Sequence, residues 1–387
     1  MNRSIFFIIC FFLLSLITAQ AQIFNQFYSE VVENTSSSNI LSDLTTFEDY
    51  GVKEPGTSAI ENTKNWIIDR YQSLGYSNIE IQPFTVNGQT TSNIIITKTG
   101  SMYPKTFVII DGHYDTVNGP GTNDNGSGTV LILELARLLR DVDTEYSIKF
   151  IHFSGEEAGL IGSQYYVDNT VIPQNLDIKL VFNIDEVGGV SGRNNNKIVC
   201  EHDANPHPSS NNAASATVTQ ELANCFILYS NLQTEISYAY ASDYMPFENI
   251  GKVITGIYEE KESPYPHTPN DILENMDPDY VYEVTKGAMG AALHFAVGKE
   301  PLKVHDNHLE NKILVTPNPS NGKLKISLEF PLNEAIQLTV FDSSGKSVFS
   351  QKLLKQDTVL DLKILKKGIY NFVFVKHNAS IVKKIIL

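Results

Sequence analysis

The stretch GHYDTV, residues 112–117, puts His113 and Asp115 two positions apart at the end of an apolar run. Eleven positions beyond His113, the loop GPGTNDNGSG carries Asp124 just ahead of a helical pattern. A second apolar run ends in FSGEE, so that Glu156 and Glu157 stand side by side with no lysine or arginine nearby in sequence. A third run ends in Asp185, and SPYPHTPND, after a fourth, supplies His267. Imidazole nitrogens and carboxylate oxygens are metal donors, and two histidines with three or four carboxylates suit two zinc ions. No C-x-x-C spacing exists, so thiolates are not part of the set. Each residue alone has an ordinary role: His113 as a satisfied core or turn histidine, Asp124 as a turn or N-cap residue, Asp185 as a loop acid. His267 among prolines could be a surface residue, and a Glu-Glu pair is usually a solvated face. It is their joint placement at the ends of apolar runs that points to a site.

The elements that must position these residues alternate. GTSAIENTKNWIIDRYQSLGY reads as a helix capped by Thr57 or Ser58, with Ile60, Trp66, Ile67 and Tyr71 on one face. SNIIITKTG reads as a strand. Then TFVIIDGHYD, YSIKFIHFSGEE, DIKLVFNIDEVGG and GKVITGIYEE read as strands. Helical patterns SGTVLILELARLLRD, GSQYYVDN and DPDYVYEVTKGAMGAALHFAVG accompany them. This alternation predicts an α/β fold with a mostly parallel central sheet flanked by helices. In such sheets ligands bind at the carboxyl ends of the strands, which would gather the candidate donors on one rim.

The chain's 387 residues and 42% hydrophobic content describe a globular protein with a substantial core. A formal charge of -15 argues against nucleic acid as a partner. The opening MNRSIFFIICFFLLSLITAQAQ has the n-region, apolar run and small-residue end of a signal peptide, residues 1–21, cleaved after Ala21. The apolar run is short for a membrane span, so no integral membrane protein is expected after cleavage. Cys10 leaves with the signal. Cys200 and Cys225 remain, either as a disulfide or as two buried thiols.

The expected α/β unit spans residues 22–305, and the character changes over residues 306–387, a linker followed by a second unit. From Lys312 onward there is no arginine, and twelve lysines face five acids, which leaves +7 here against -22 before it. The pattern KLKISLEF, IQLTVFD, SVFSQKL, TVLDLK, IYNFVFVK, SIVKKIIL, with turns SNG, SSG and KKG, predicts a small all-β sandwich.

GHYDTV, GPGTNDNGSGTV, FSGEEAGLIGS, FNIDEVGG, SDYMPF and HTPND together resemble the secreted di-zinc aminopeptidases of metallopeptidase family twenty-eight, in order and spacing. The resemblance implies a zinc-exopeptidase fold and two zinc ions, with peptide or protein N-termini as substrate. It implies that Asp124 bridges the metals, that His113 and Asp185 complete one site, and that Glu157 and His267 complete the other. Glu156 is then the general base and Asp115 the partner of the first histidine. The tail VTPNPSNGKLKI, LTVFDSSGKSV, LKKGIYNFVFV and KKIIL resembles the sorting domain read by the type IX secretion machinery, implying export across an outer membrane.

Some positions depart from that family pattern. Glu186 follows Asp185 where many relatives carry an apolar residue, an added charge that either tunes the site or faces solvent. Ala241 stands where some relatives place a basic residue, and Pro266 where some place a tyrosine, with Tyr265 one position earlier. Ser242, Asp243 and Tyr244 are expected to shape the substrate side. A carboxypeptidase or glutaminyl cyclase on the same scaffold, or a non-catalytic surface binding module, are the alternatives.

Overall fold

The computed structural model describes residues 23–239, 241–300, 312–330, 335–343, 345–376 and 379–387. The expected signal peptide (1–21) and the 305/306 domain boundary lie outside the described residues. The chain divides into two compact units, Met1–Glu300 and Pro301–Leu387.

The first unit opens with three helices, α1 (Gln26–Val32), α2 (Ser37–Asp49) and α3 (Ser58–Ser73). Thr57 caps α3, its side chain accepting from the Ile60 N–H, and Ile60, Thr63, Ile67 and Tyr71 form the buried face at helical spacing. A hairpin follows: β1 (Ile79–Val86) and β2 (Gln89–Lys98) join through Asn87 and Gly88, both at positive φ. Such a two-residue Asn-Gly connection matches the twist of the flanking strands. Next come β3 (Tyr103–His113), α4 (Gly126–Leu139), the two-residue β4 (Asp143–Thr144) and β5 (Tyr146–Phe153). After α5 (Ile161–Tyr166) and a π-helical turn over Val167–Val171 come β6 (Asp177–Ile184), β7 (Lys197–His202), α6 (Asn212–Tyr229) and β8 (Gln233–Tyr238). The one-turn α7 (Met245–Glu248), β9 (Ile254–Glu259), α8 (Pro278–Ala296) and the short β10 (Gly298–Lys299) close the unit, with β10 pairing antiparallel to β4.

Eight strands form one sheet in the order β1-β2-β5-β3-β6-β9-β7-β8. The central four, β5-β3-β6-β9, run parallel. The sheet is mixed and mostly parallel, as expected: β7 and β8 also pair parallel, while the hairpin adds β1 and β2 through antiparallel pairs on one side and β7 pairs antiparallel with β9 on the other. Successive residues of the central strands bury into opposite layers. Ile94, Ile96, Val108, Ile110, Ile148, Phe150, Leu180 and Phe182 pack with α1–α4, α6 and α8. Ile95, Ile109, Ile151 and Val181 pack beneath α5 and α7. Burial on both faces explains why these strands read as continuous apolar runs. Cys200 and Cys225 are buried thiols of the main core. Among the described residues no helix is long and apolar enough to cross a membrane.

The second unit is all β. Strands β11 (Ile313–Thr316), β12 (Lys323–Leu328) and β15 (Asp357–Asp361) form one sheet. Strands β13 (Ile336–Phe341), β14 (Ser347–Leu353), β16 (Ile369–Lys376) and β17 (Ala379–Ile386) form another in the order β14-β13-β16-β17. Alternate residues such as Leu324, Ile326, Leu338 and Val340 meet in a single core shared by both sheets.

Candidate metal centre

Because β5, β3, β6 and β9 are parallel, their carboxyl ends lie on one rim, and each delivers a polar residue there. His113 ends β3 and is almost fully buried. Its Nδ1 lies 3.1 Å from the Asp115 carbonyl oxygen and 3.7 Å from Asp115 Oδ1. A carbonyl only accepts, so Nδ1 carries a proton there and Nε2 is the nitrogen that faces the rim. Nε2 is 3.3 Å from Asp124 Oδ1 and 3.3 Å from Asp185 Oδ1.

Asp124 sits in the loop before α4, and the helix cap is its neighbour. The Asn125 side chain accepts from the Gly128 N–H and donates to the Ile184 carbonyl, which pins the start of α4 against the end of β6. Asp124 therefore keeps its carboxylate for the rim. The Asp271 carboxylate holds the loop from below, accepting from the Asn123 and Asp124 N–H groups at 2.9 and 3.0 Å. Asp124 Oδ2 faces the other way, 3.2 Å from His267 Nε2, which is itself 2.7 Å from Glu157 Oε2. His267 stands at φ +58, a left-handed conformation costing a non-glycine residue roughly 1–3 kcal/mol, of the kind that concentrates at functional sites.

Two donor groups result: His113, Asp124 and Asp185, and Asp124, Glu157 and His267, each with ligand atoms within 4.8 Å of one another. Asp124 belongs to both. Glu156 belongs to neither, and its Oε2 lies 4.0 Å from His113 Nε2. The Glu156 and Glu157 N–H groups both approach the Asp115 carboxylate, at 3.3 and 3.4 Å. Asp115 thus ties the end of β3 to the turn after β5, a wider role than service to the histidine alone. Ser242 donates to Asp185 Oδ2 at 2.7 Å, while Asp185 Oδ1 and Glu157 Oε1 are buried and accept no hydrogen bond.

The electrostatics favour a cation. Burial pushes Glu156 and Glu157 up to about 8, reinforced by the neighbouring carboxylates, chiefly Asp185 for the first and Asp124 for the second. Burial lifts Glu186 to about 10, with Asp124, Asp185 and Glu259 adding to it. Burial opposes the ionised form of Asp124 as well, yet hydrogen bonding to His113 and His267 holds its carboxyl well below the usual range. Hydrogen bonding to Asp124 raises His267 to about 9. Orphaned carboxylate oxygens among crowded acids, with imidazole nitrogens aimed between them, are what divalent ions relieve, and nitrogen and oxygen donors without thiolate fit zinc.

Residues 93–292, just over half of the 387, match Peptidase family M28. The chain belongs to this family. Residues 314–387 match the secretion system C-terminal sorting domain. The aminopeptidase YwaD of Bacillus subtilis is 32% identical over 232 residues, covering 57% of this chain and 48% of that protein. The chain spans about half or less of the length of the first curated relatives it matches. A zinc aminopeptidase structure from B. subtilis superposes with a TM-score of 0.59 at 18% identity, covering 70% of this chain and 97% of that one. A glutaminyl cyclase structure from Macrostomum lignano superposes with a TM-score of 0.63 at 14% identity, covering 73% and 96%. At such identities the likeness is one of fold, common to both activities.

The structure brings His113, Asp115, Asp124, Glu156, Glu157, Asp185 and His267 to this one rim. Sequence reasoning did not pick out Asp271 or Asn125 as supports. Asn125 had a local signal, an asparagine ahead of a helical run; Asp271 is 147 positions from the N–H it holds.

Proposed function

We propose that this M28 protein is an exported di-zinc aminopeptidase. The observation that carries the reading is Asp124, one carboxylate whose two oxygens face two different histidines and so belong to two donor groups. Zinc ions held by those groups would polarise the scissile carbonyl and acidify a shared water. Glu156, outside both groups and near both, is the base that takes the proton of the attacking water and returns it to the leaving amine. Asp115 fixes the His113 ring and the Glu156–Glu157 turn together. Asp185 is held by Ser242, and Asp271 holds the bridging loop.

The charge of the rim selects the substrate's end. Asp115, Asp124, Glu156, Glu157, Asp185 and Glu186 crowd it, and among the described residues no lysine or arginine forms an ion pair with any of them. Two zinc ions would offset the carboxylates that hold them, and the acids left over, Glu156 and Glu186, favour the α-ammonium of a peptide N-terminus over a C-terminal carboxylate. This argues against the carboxypeptidase alternative, and YwaD and other relatives named aminopeptidases support the same side. The C-terminal unit supports export through the type IX machinery to the cell surface or beyond, with residues 1–21 as the signal for the inner membrane.

The test measures zinc content together with cleavage of aminoacyl-anilides, N-blocked peptides and N-terminal glutamine peptides. The expected result is two zinc ions per chain and cleavage of free-amine substrates only, lost on chelation and restored by zinc. Failure to cleave any free-amine substrate with zinc restored overturns the reading, and cyclisation of N-terminal glutamine without hydrolysis replaces it.

A further inference from the structure

Two cavities flank the metal centre, and they differ in size and lining. On the Glu157 side lies a cleft of about 360 Å³ whose walls include Pro55, Val86, Val117 and Ala158. On the Asp185 side lies a pocket of about 40 Å³, lined by Asp185, Glu186, Glu201, Tyr244 and Tyr258 with Ala241 and Ser242. An enzyme that removes one terminal residue needs a small blind space for that residue and a larger one for the chain that leaves. The Asp185 side fits the first need and the Glu157 side the second.

The smaller pocket is acidic in an unusual way. Glu201 lies on β7 and is only 4% exposed. Tyr244 donates to its Oε2 at 2.9 Å, and its Oε1, buried, accepts no hydrogen bond. A buried carboxylate oxygen without a donor is costly unless something cationic or protic fills the gap. The site is built for that carboxylate. Glu201 pairs across the sheet with Gly256 of β9, and a Cβ at Gly256 would fall 2.8 Å from the Tyr244 ring and 3.3 Å from Glu201 Oε2. Glu186 adds a second acid at the wall, and among the described residues neither glutamate forms an ion pair with a lysine or arginine. Tyr258, partly exposed at the wall, is the ring along which a methylene stem can lie.

We propose that this pocket receives the cationic side chain of the substrate's N-terminal residue, making the protein an aminopeptidase selective for N-terminal lysine. The narrow space suits a single ammonium group carrying three donors, with Glu186 at the wall and the Glu201 carboxylate behind it as the acids that favour it. The proposal rests on the aminopeptidase reading, and its test keeps the two apart.

The experiment compares kcat/KM for lysyl, arginyl, leucyl, alanyl and glutamyl anilides using the zinc-loaded full chain, then repeats the panel with Glu186→Gln and Glu201→Gln. Lysyl substrate is expected to exceed leucyl by about tenfold or more, with glutamyl substrate poorest, as for a hydrogen bond to a charged partner. Glu186→Gln is expected to lower the lysyl-to-leucyl ratio by about tenfold, chiefly through KM for the lysyl substrate. Glu201→Gln should do the same, and Glu186→Gln at the pocket wall carries the test if the buried substitution does not fold. Faster cleavage of leucyl than lysyl substrate, or a ratio unchanged in Glu186→Gln, overturns the pocket assignment and leaves the aminopeptidase reading standing. Absence of cleavage across the whole panel overturns the aminopeptidase reading itself.

Discussion

Glu156 and Glu157 are chemically identical neighbours with a common backbone anchor, Asp115. What separates them is direction: Glu157 Oε2 lies 2.7 Å from His267 Nε2 within a donor group, while Glu156 stands outside both groups beside His113. Substitution should therefore split their roles. Glu156→Gln is expected to keep both zinc ions and lower kcat by about 10²- to 10⁴-fold, the loss of a general base. Glu157→Gln is expected to lower bound zinc toward one per chain, and activity with it. Metal analysis and steady-state kinetics on the same preparations check both. Full activity in Glu156→Gln would end this division of labour. At this scale the sequence was informative because ligands must be histidine or carboxylate, and those types at the ends of apolar runs are visible. Supporting residues such as Asp271 act through backbone N–H groups, which no residue pattern marks.

The elements explain why the rim holds together. Asp271, four residues beyond His267 but distant in sequence from the loop, grips the N–H groups of Asn123 and Asp124. Asp271→Ala should leave those donors without their acceptor, weaken zinc retention by about 10- to 100-fold and lower activity, as loss of a ligand's support does. Competition with a chelator of known affinity measures this. Gly128 offers an independent test. A Cβ there would stand 2.4 Å from Asn125 Oδ1 and 2.5 Å from the Ile184 carbonyl, so the start of α4 could not stay against β6. Gly128→Ala is expected to destabilise the protein by about 1–3 kcal/mol, read from denaturant midpoints. The strands bearing the donors were legible because burial on both faces gives unbroken apolar runs. The stretch with β7, α6 and β8 was not. The first half of α6 buries only Ser215 and Thr219, too polar to announce a face, and its large apolar contacts, Leu222, Phe226 and Tyr229, come only in the second half. The antiparallel insertion of β7 beside β9 depends on tertiary pairing, and strand direction leaves no mark in composition.

Across the whole molecule acids prevail, 44 against 29 lysines and arginines. In the first unit several acids away from the donor groups are buried as well. Burial raises Asp111 and Glu201 to about 8 and Glu248 and Glu259 to about 7. A carboxyl whose folded pKa lies above its unfolded value holds its proton more firmly when folded. Its stabilising contribution is complete below the unfolded value, near 4, and is lost as pH rises through the folded one. In the chelated protein, where no metal alters the balance, stability should therefore fall progressively from about pH 4, the unfolded value, to about pH 8, the highest folded one. Lys53, fully buried and lowered by burial to about 7, works in the opposite sense above that pH, one group against Asp111 and Glu201, the two carboxyls near 8. His152, lowered by burial to about 3, opposes the fall in the lower part of this window, up to about pH 6.5, one group against four. Calorimetry should show the melting temperature of the peptidase unit dropping by a few degrees across it. A melting temperature that rises instead would mean that these carboxyls are ionised in the folded state throughout, and that the interior tolerates their charge without a proton.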